Sequence, residues 1–266
     1  MMVREWNLLI TSGLAATLLL TLSACSLEAA QPLAGRTCAD HHPTATPPAL
    51  VNPKLAAGTR PLCFGAFAVL HSGVTRSPLW VAEHLTRASV EAARRLDTRD
   101  NRFHPEERLP RAERAELADY RGSGYDRGHM APSGDMNSSA DDFESFSLAN
   151  IVPQDGPLNR NGWAELENYV RELTGRLGEA YVVTGPAYRG RRIRRLNGRV
   201  PVPTHVWKAM YVPGQGAGAW IASNDAKARW EVVSIAQLTA RVGIDPFPTL
   251  DVAARAKAPA FPTFED

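Results

Sequence analysis

Apolar residues at Trp163, Leu166, Val170, Leu173 and Leu177 recur at helical spacing and predict an amphipathic helix over Leu158–Leu177. A second such pattern runs from Glu231 to Val242 and is stopped by Gly243 and Pro246. Ser89–Leu96 reads as a short helix. Shorter, denser apolar runs read as strands: Phe64–Leu70 with Pro78–Leu85 as its partner, Ala149–Val152, Tyr181–Thr184, Val202–Val212 and Ala219–Ala222. Strands and helices mix without a regular βαβ alternation. The expected class is therefore α+β, with an antiparallel central sheet flanked by helices.

The ends of the chain follow other rules. Leu8–Leu22 is apolar but short for a membrane span. It runs into Leu22-Ser23-Ala24-Cys25, which resembles the lipobox of bacterial lipoprotein signal peptides; an ordinary cleaved signal with a chance cysteine is the alternative. The lipobox reading implies an exported protein held to a membrane by a lipid on Cys25. Ser26 points to the bacterial outer membrane, and a periplasmic location is the other expectation. Residues 25–60 are rich in Ala, Pro and Thr and read as an exposed tether. Residues 61–252 form the expected catalytic domain, and 253–266 a flexible tail. With Cys25 acylated, Cys38 and Cys63 make an even pair, which in an oxidising compartment suggests one disulfide. Two free thiols, or a metal cluster of Cys38 with His41 and His42, are the rival readings.

The net charge of +2 excludes an argument for polyanion binding from bulk charge. Local chemistry is more telling. Asp126-Arg127-Gly128-His129-Met130-Ala131-Pro132 places a cation and a titratable base within a few residues. Histidine is the side chain whose ordinary pKa suits deprotonation of water near neutral pH. Arg127 can grip phosphate oxygens bidentately, or pair with a nearby acid. Asp126 reads as structural. Asn159 offers one amide oxygen to a hydrated Mg²⁺, an ion that keeps most of its waters; it also sits where a helix N-cap is expected. Glu167 and Arg171 follow at helical steps. They can order a metal-bound water and bind phosphate, or form an i,i+4 ion pair on a solvated face. Six arginines between Arg189 and Arg199 concentrate positive charge, either as a polyanion-binding patch or as a mobile loop.

Tyr125–Pro132, then Asn150-Ile151-Val152-Pro153-Gln154, Leu158-Asn159, Trp163 and Leu166-Glu167-Asn168, resemble in order and spacing the DNA/RNA non-specific endonucleases, a family with a DRGH signature and a ββα-metal active site. Val183–Pro186 and Pro203–His205 are also similar to family segments. The likeness runs from about residue 64 to 250. It implies His129 as general base, Asn159 as the only direct protein ligand of Mg²⁺ (with Mn²⁺ as an alternative ion), and Glu167 as the holder of metal-bound water. It further implies Arg127 and Arg171 as phosphate contacts and Asn150 as support. An upstream arginine belongs to the family site, with Arg95 the candidate and Arg94 and Arg99 its competitors. The implied substrates are DNA and RNA, cut to 5′-phosphates, and a homodimer is among the expectations. A DNA-capturing surface lipoprotein without catalysis and a small-substrate phosphodiesterase are the rival functions.

Overall fold

The computed structural model describes residues 38–96, 102–257 and 260–264. The signal-peptide and lipid expectations fall on residues outside this set. In chain order the elements are β1 (Ala49–Leu50), β2 (Thr59–Cys63), β3 (Phe67–Ser72), β4 (Ser77–Thr86), α1 (Arg87–Arg94), α2 (Leu117–Tyr120), β5 (Asp126–His129), α3 (Ser139–Ser145), β6 (Ile151–Gln154), α4 (Gly156–Arg160), α5 (Gly162–Leu177), β7 (Glu179–Ala187), β8 (Arg195–Leu196), β9 (Val200–Pro201), β10 (His205–Val212), β11 (Gly216–Ser223), β12 (Trp230–Val233), α6 (Ile235–Val242), β13 (Ile244–Asp245) and α7 (Val252–Ala256).

Seven strands form one antiparallel sheet in the order β12-β11-β10-β7-β4-β3-β2. Successive side chains of a strand point to opposite faces, and here both faces are covered. Val81, Val182, Val206, Met210 and Trp220 pack in one core with Trp163, Leu166 and Val170 of α5. Trp80, Ala82, Val183, Trp207, Ala209 and Ile221 pack in a second core with Ile235 and Leu238 of α6 and Phe247. This explains why β7 and β10 read as unbroken apolar runs rather than alternating ones. Burying a side chain such as Phe67 or Val81 completely stabilises the fold by about 1.5–3 kcal/mol. The α+β class and the antiparallel sheet agree with the expectation.

Element boundaries differ where capping outweighs periodicity. The expected helix over 231–242 is strand β12 followed by α6, because Ser234 and Gln237 close a capping box between them. The long helix over 158–177 is two, α4 and α5, divided at Asn161 with φ −113° and ψ −100°. Thr86 and Ser89 cap α1, so it starts before Ser89.

The expected tether is folded from Cys38 onward. His41 and His42 are buried, β1 pairs with β13, and β2 is the edge strand of the sheet. The tail expected to be flexible also packs: Phe261 stacks on Trp220 at 4.2 Å, and the Trp220 indole N–H donates to the Pro262 carbonyl at 2.8 Å.

Cys38 and Cys63 are joined in a disulfide, with Cα atoms 5.5 Å apart and a sequence separation of 25. Cys38 is thus not a metal ligand. Closing a loop of this length stabilises by about 3 kcal/mol in the chain-entropy model. Reduction, or the Cys63→Ser variant, is expected to lower the melting temperature by several degrees. An unchanged melting curve in calorimetry with and without reductant would rule out a contribution from the bridge.

Candidate active site

The site is built from two short strands and the helices that follow them. β5 and β6 pair antiparallel, with Asp126 opposite Gln154 and His129 opposite Ile151. The chain then turns at Asp155, whose side chain caps α4 by accepting the Leu158 N–H. Strand, strand and helix thus succeed one another within about forty residues, which is the arrangement the DRGH resemblance implies.

Alternation along β5 puts Arg127 and His129 on one face and Asp126 and Gly128 on the other. Gly128 has no room for a side chain, since a Cβ there would lie 2.0 Å from Oε1 of the buried Gln154. Phe103 joins the first face. Its ring lies 4.1 Å from the Arg127 guanidinium and 5.4 Å from the His129 ring. Phe146 meets the imidazole edge-on at 4.8 Å. His129 Nε2 is sealed from solvent without a hydrogen-bond partner. Burial, the dominant cause, lowers the His129 pKa to about 4; the Arg127 charge acts in the same direction and Asp142 opposes both. The imidazole is therefore neutral and able to accept a proton at neutral pH.

Asn150 is fully buried and clamps the chain just beyond His129. Its Oδ1 accepts from the Ala131 N–H at 2.9 Å, and its Nδ2 donates to the carbonyls of Ala131 and Ser145, both at 2.8 Å.

Asn159 lies inside α4 and is not its N-cap; Asp155 has that place. The Asn159 amide donates from Nδ2 to Asp126 Oδ2 at 3.1 Å, which leaves its Oδ1 turned away from that carboxylate. Asp126 also takes a two-pronged ion pair from Arg160, at 2.8 and 2.6 Å. Asp126 thus orients Asn159 and Arg160 rather than Arg127.

Among the described residues no group of three or more His, Cys, Asp or Glu could hold a metal ion. The donor set that fits an ion here is the single Asn159 oxygen with water filling the remaining positions. That combination suits a hard cation that keeps its hydration shell.

Arg171 does not rely on Glu167 for its ion pair. Its Nη1 donates to Asp135 Oδ1 at 2.6 Å and its Nη2 to Asn168 at 2.5 Å; the Arg171 and Asp135 side chains are 13% and 3% exposed. The solvated i,i+4 pair considered from the sequence is replaced by this sheltered contact with the turn after β5. Gly134 completes the cradle, because a Cβ there would lie 2.6 Å from Arg171 Nη1. Burial pushes the Glu167 carboxyl up to about 7, and the charges of Lys208 and Arg171 pull the other way. Beneath α5 the sheet carries Glu83 and Lys208, each 1% exposed. Neither Glu83 oxygen has a hydrogen-bond partner, and burial followed by the Asp135 charge raises its pKa well above the ordinary carboxylate value. Lys208 donates to Thr184 Oγ1 at 2.8 Å and to the Met130 carbonyl at 3.4 Å.

Two candidates for the upstream arginine, Arg95 and Arg94, lie at the end of α1. Arg95 is the C-cap of α1, and no hydrogen bond or ion pair among the described residues joins it to 126–131. Arg94 closes the same helix, and Arg99 is outside the described residues. Arg102 stands nearer the site: its guanidinium lies 5.5 Å from the Phe143 ring, and its neighbour Phe103 touches both His129 and Arg127. Phe103, Asp135 and Lys208 were not legible as site residues either. Lys208 is brought in by the sheet, Asp135 by the turn at 133–135, and Phe103 lies beside the His104–Ser147 bridge.

Comparison with known proteins agrees with this geometry. The family profile described as DNA/RNA non-specific endonuclease matches residues 47–253. Nuclease C1 of Cunninghamella echinulata var. echinulata is 36% identical over 177 residues, covering 60% of this chain and 70% of that protein. Human mitochondrial nuclease EXOG is 33% identical over 187 residues, 64% of this chain but 50% of the relative's length. The match to the Syncephalastrum racemosum nuclease likewise spans about half of that protein, 53%. Among solved structures, a chain from the EndoG/EndoGI complex superposes with a TM-score of 0.67 at 28% identity, covering 73% of this chain and 88% of that one.

Two outcomes follow from the electrostatics and the close packing. A carboxyl near 7 in the fold and near 4.5 when unfolded binds a proton on folding between those values. It therefore costs stability as the pH rises above about 4.5, fully so above about 7. Glu167→Gln should be more resistant to denaturant than the parent at pH 8 with chelator present, and equal to it at pH 4; equal stability at both would refute the raised pKa. Gly134→Ala should displace the Arg171 guanidinium and lower kcat about tenfold or more, with little change in melting temperature. Parent-like kcat in steady-state assays would sink that reading of the cradle.

Proposed function

Because the chain belongs to the DNA/RNA non-specific endonuclease family, we propose that it is a metal-dependent endonuclease that hydrolyses phosphodiester bonds of DNA and RNA and leaves 5′-phosphates. The observation that carries the reading is the neutral His129 on the same strand face as Arg127, joined through β5 to an Asn159 whose amide oxygen is left for a cation.

His129 accepts a proton from a water molecule as the water oxygen bonds to phosphorus. The bond from phosphorus to the 3′-oxygen breaks, and that oxygen leaves with a proton from solvent. Arg127 and Arg171, the latter fixed by Asp135, hold phosphate oxygens and offset the charge that grows on them. Arg102 is the upstream arginine of the same group. Asn150 fixes His129 through Ala131. Asn159 would hold a hydrated Mg²⁺, with Glu167 ordering water beside it, and the ion would supply Lewis-acid stabilisation of the charge that develops in the reaction; Mn²⁺, another oxygen-preferring divalent ion, would substitute in this reading. The lipobox-like Leu22–Cys25 and the Cys38–Cys63 disulfide support a protein exported from a bacterial cell and anchored through Cys25.

Plasmid DNA and total RNA should both be degraded with Mg²⁺ and spared with excess chelator. His129→Ala should lower kcat at least a hundredfold, and Asn159→Ala should raise the Mg²⁺ concentration needed for half-activity. Full activity in His129→Ala would overturn the assignment of the base. Tight DNA binding without cleavage in Mg²⁺, Mn²⁺ or Ca²⁺ would favour the DNA-capturing alternative. Cleavage of a small phosphodiester that long DNA does not inhibit would favour the small-substrate one.

A further inference from the structure

The basic run Arg189–Arg199 is not part of the catalytic group, and the structure gives it a definite shape. It folds into a hairpin in which β8 pairs with β9 and Val202 donates its N–H to the Arg194 carbonyl at 2.8 Å. Leu196, Val200 and Val202 are buried in a small core with Ala115, Tyr120, Leu148 and Ile151. Ile151 is the residue paired with His129 across β5 and β6. The hairpin is therefore docked against the catalytic strands on the face that carries His129.

Two further ties hold it there. Arg199 forms an ion pair with the buried Asp119 at 3.0 Å and donates to the Arg114 carbonyl at 3.1 Å, while Asn197 donates to the Ala118 carbonyl at 2.9 Å. A hairpin anchored at its turn and its base is not the mobile loop that the sequence left open.

The anchoring sorts the arginines by role. Arg199 is committed to Asp119. Arg194 lies over the ring of Tyr125 at 5.0 Å, immediately before the catalytic strand. Arg191, Arg192, Arg194 and Arg195 are all exposed, and Arg121 stands exposed at the end of α2 nearby. Asp119 is already engaged by Arg199, and Asp126 by Arg160. In a chain of net charge +2 this leaves a ledge of unneutralised guanidinium groups running up to Tyr125 and Arg127. Tyr125 is the only aromatic ring in contact with it among the described residues, so the ledge suits a phosphate backbone rather than stacked bases.

We propose that this hairpin is a backbone clamp: Arg191, Arg192 and Arg194 bind phosphates of a long polynucleotide several nucleotides from the bond that is cut. The proposal rests on the nuclease reading for the identity of its ligand. It adds that the enzyme prefers extended substrates and that this preference resides in the hairpin. A rigid, pre-positioned set of guanidinium groups binds without a large ordering cost. Each phosphate it neutralises releases counterions and steepens the salt dependence of binding.

The test uses the triple variant Arg191→Gln/Arg192→Gln/Arg194→Gln, with Arg192→Gln alone as a milder form should the triple lose its fold. Binding of a labelled duplex of roughly 30 base pairs is measured by anisotropy with chelator present, across a series of salt concentrations; each lost contact should flatten the log–log slope by about 0.9. With Mg²⁺, KM for the long duplex should rise about tenfold, while kcat/KM for a chromogenic substrate with a single phosphodiester stays at the parent value. An unchanged salt slope overturns the clamp, as does an equal loss on the single-phosphodiester substrate. Loss of binding to vesicles of anionic phospholipid, with duplex binding intact, overturns it in favour of a membrane contact. The two readings fail separately. Duplex binding that flattens in the variant of a parent protein that cuts nothing keeps the clamp and removes the nuclease. Cleavage with an unaltered slope does the reverse.

Discussion

The position of His129 depends on one buried amide. Asn150 has no exposure, and its side chain makes three hydrogen bonds, two to Ala131 and one to Ser145. Its own carbonyl accepts the Met130 N–H at 3.0 Å. No water replaces these partners if they part, and each buried group left unpaired costs about 1–3 kcal/mol. The segment after β5 therefore has one low-energy placement. Because Asn150 directly precedes β6, the same residue fixes the register of the catalytic strand pair and the start of its continuation towards Asp135. Arg171 finds its partner only because that turn lies where Asn150 sends it.

A second constraint lies underneath. The face of the sheet that supports α5 is largely apolar but carries Glu83, Thr184 and Lys208 on the neighbouring strands β4, β7 and β10. Ionisable groups in such a layer are costly to desolvate: Lys208 is hydrogen-bonded to Thr184, whereas the Glu83 carboxyl has no hydrogen-bond partner and burial raises its pKa well above the ordinary value. Packing alone does not account for them. The Lys208 charge does reach the site: it lowers the Glu167 pKa against the burial that raises it. Lys208 also contacts the carbonyl of Met130, the residue after His129. The charge balance of the catalytic helix is thus set partly from within the sheet.

Much of this was readable in the chain because it depends on local patterns. The amphipathic stripe from Trp163 to Leu177, the apolar runs of β7 and β10 and the DRGH motif, though not the strand it forms, all announce themselves within a few residues. The element boundaries did not, since Ser234 and Asp155 decide them by capping, an interaction of single residues that periodicity cannot register. Asn159 was ambiguous for the same reason: one position decides between a cap and an available amide oxygen. Arg102 drew no attention in the sequence because an aromatic contact with Phe143 places it, not a helix. The ordered stretch from Cys38 to Ala57 was hidden by its Pro- and Ala-rich composition. Its structure comes from the distant strand β13 and from the disulfide, neither visible locally.

The polar row of Glu83, Thr184 and Lys208 has a consequence for how this fold varies. Selection for thermal resistance alone favours replacing such a row with aliphatic side chains, which fill the same layer without desolvated charge. A protein improved in that way keeps its sheet, its disulfide and its DRGH strand. It loses the internal charges that bear on Glu167 and the contact to Met130. Robustness and catalytic tuning are therefore opposed at these positions, and a hardened variant can look intact by every measure of folding while its active site has drifted.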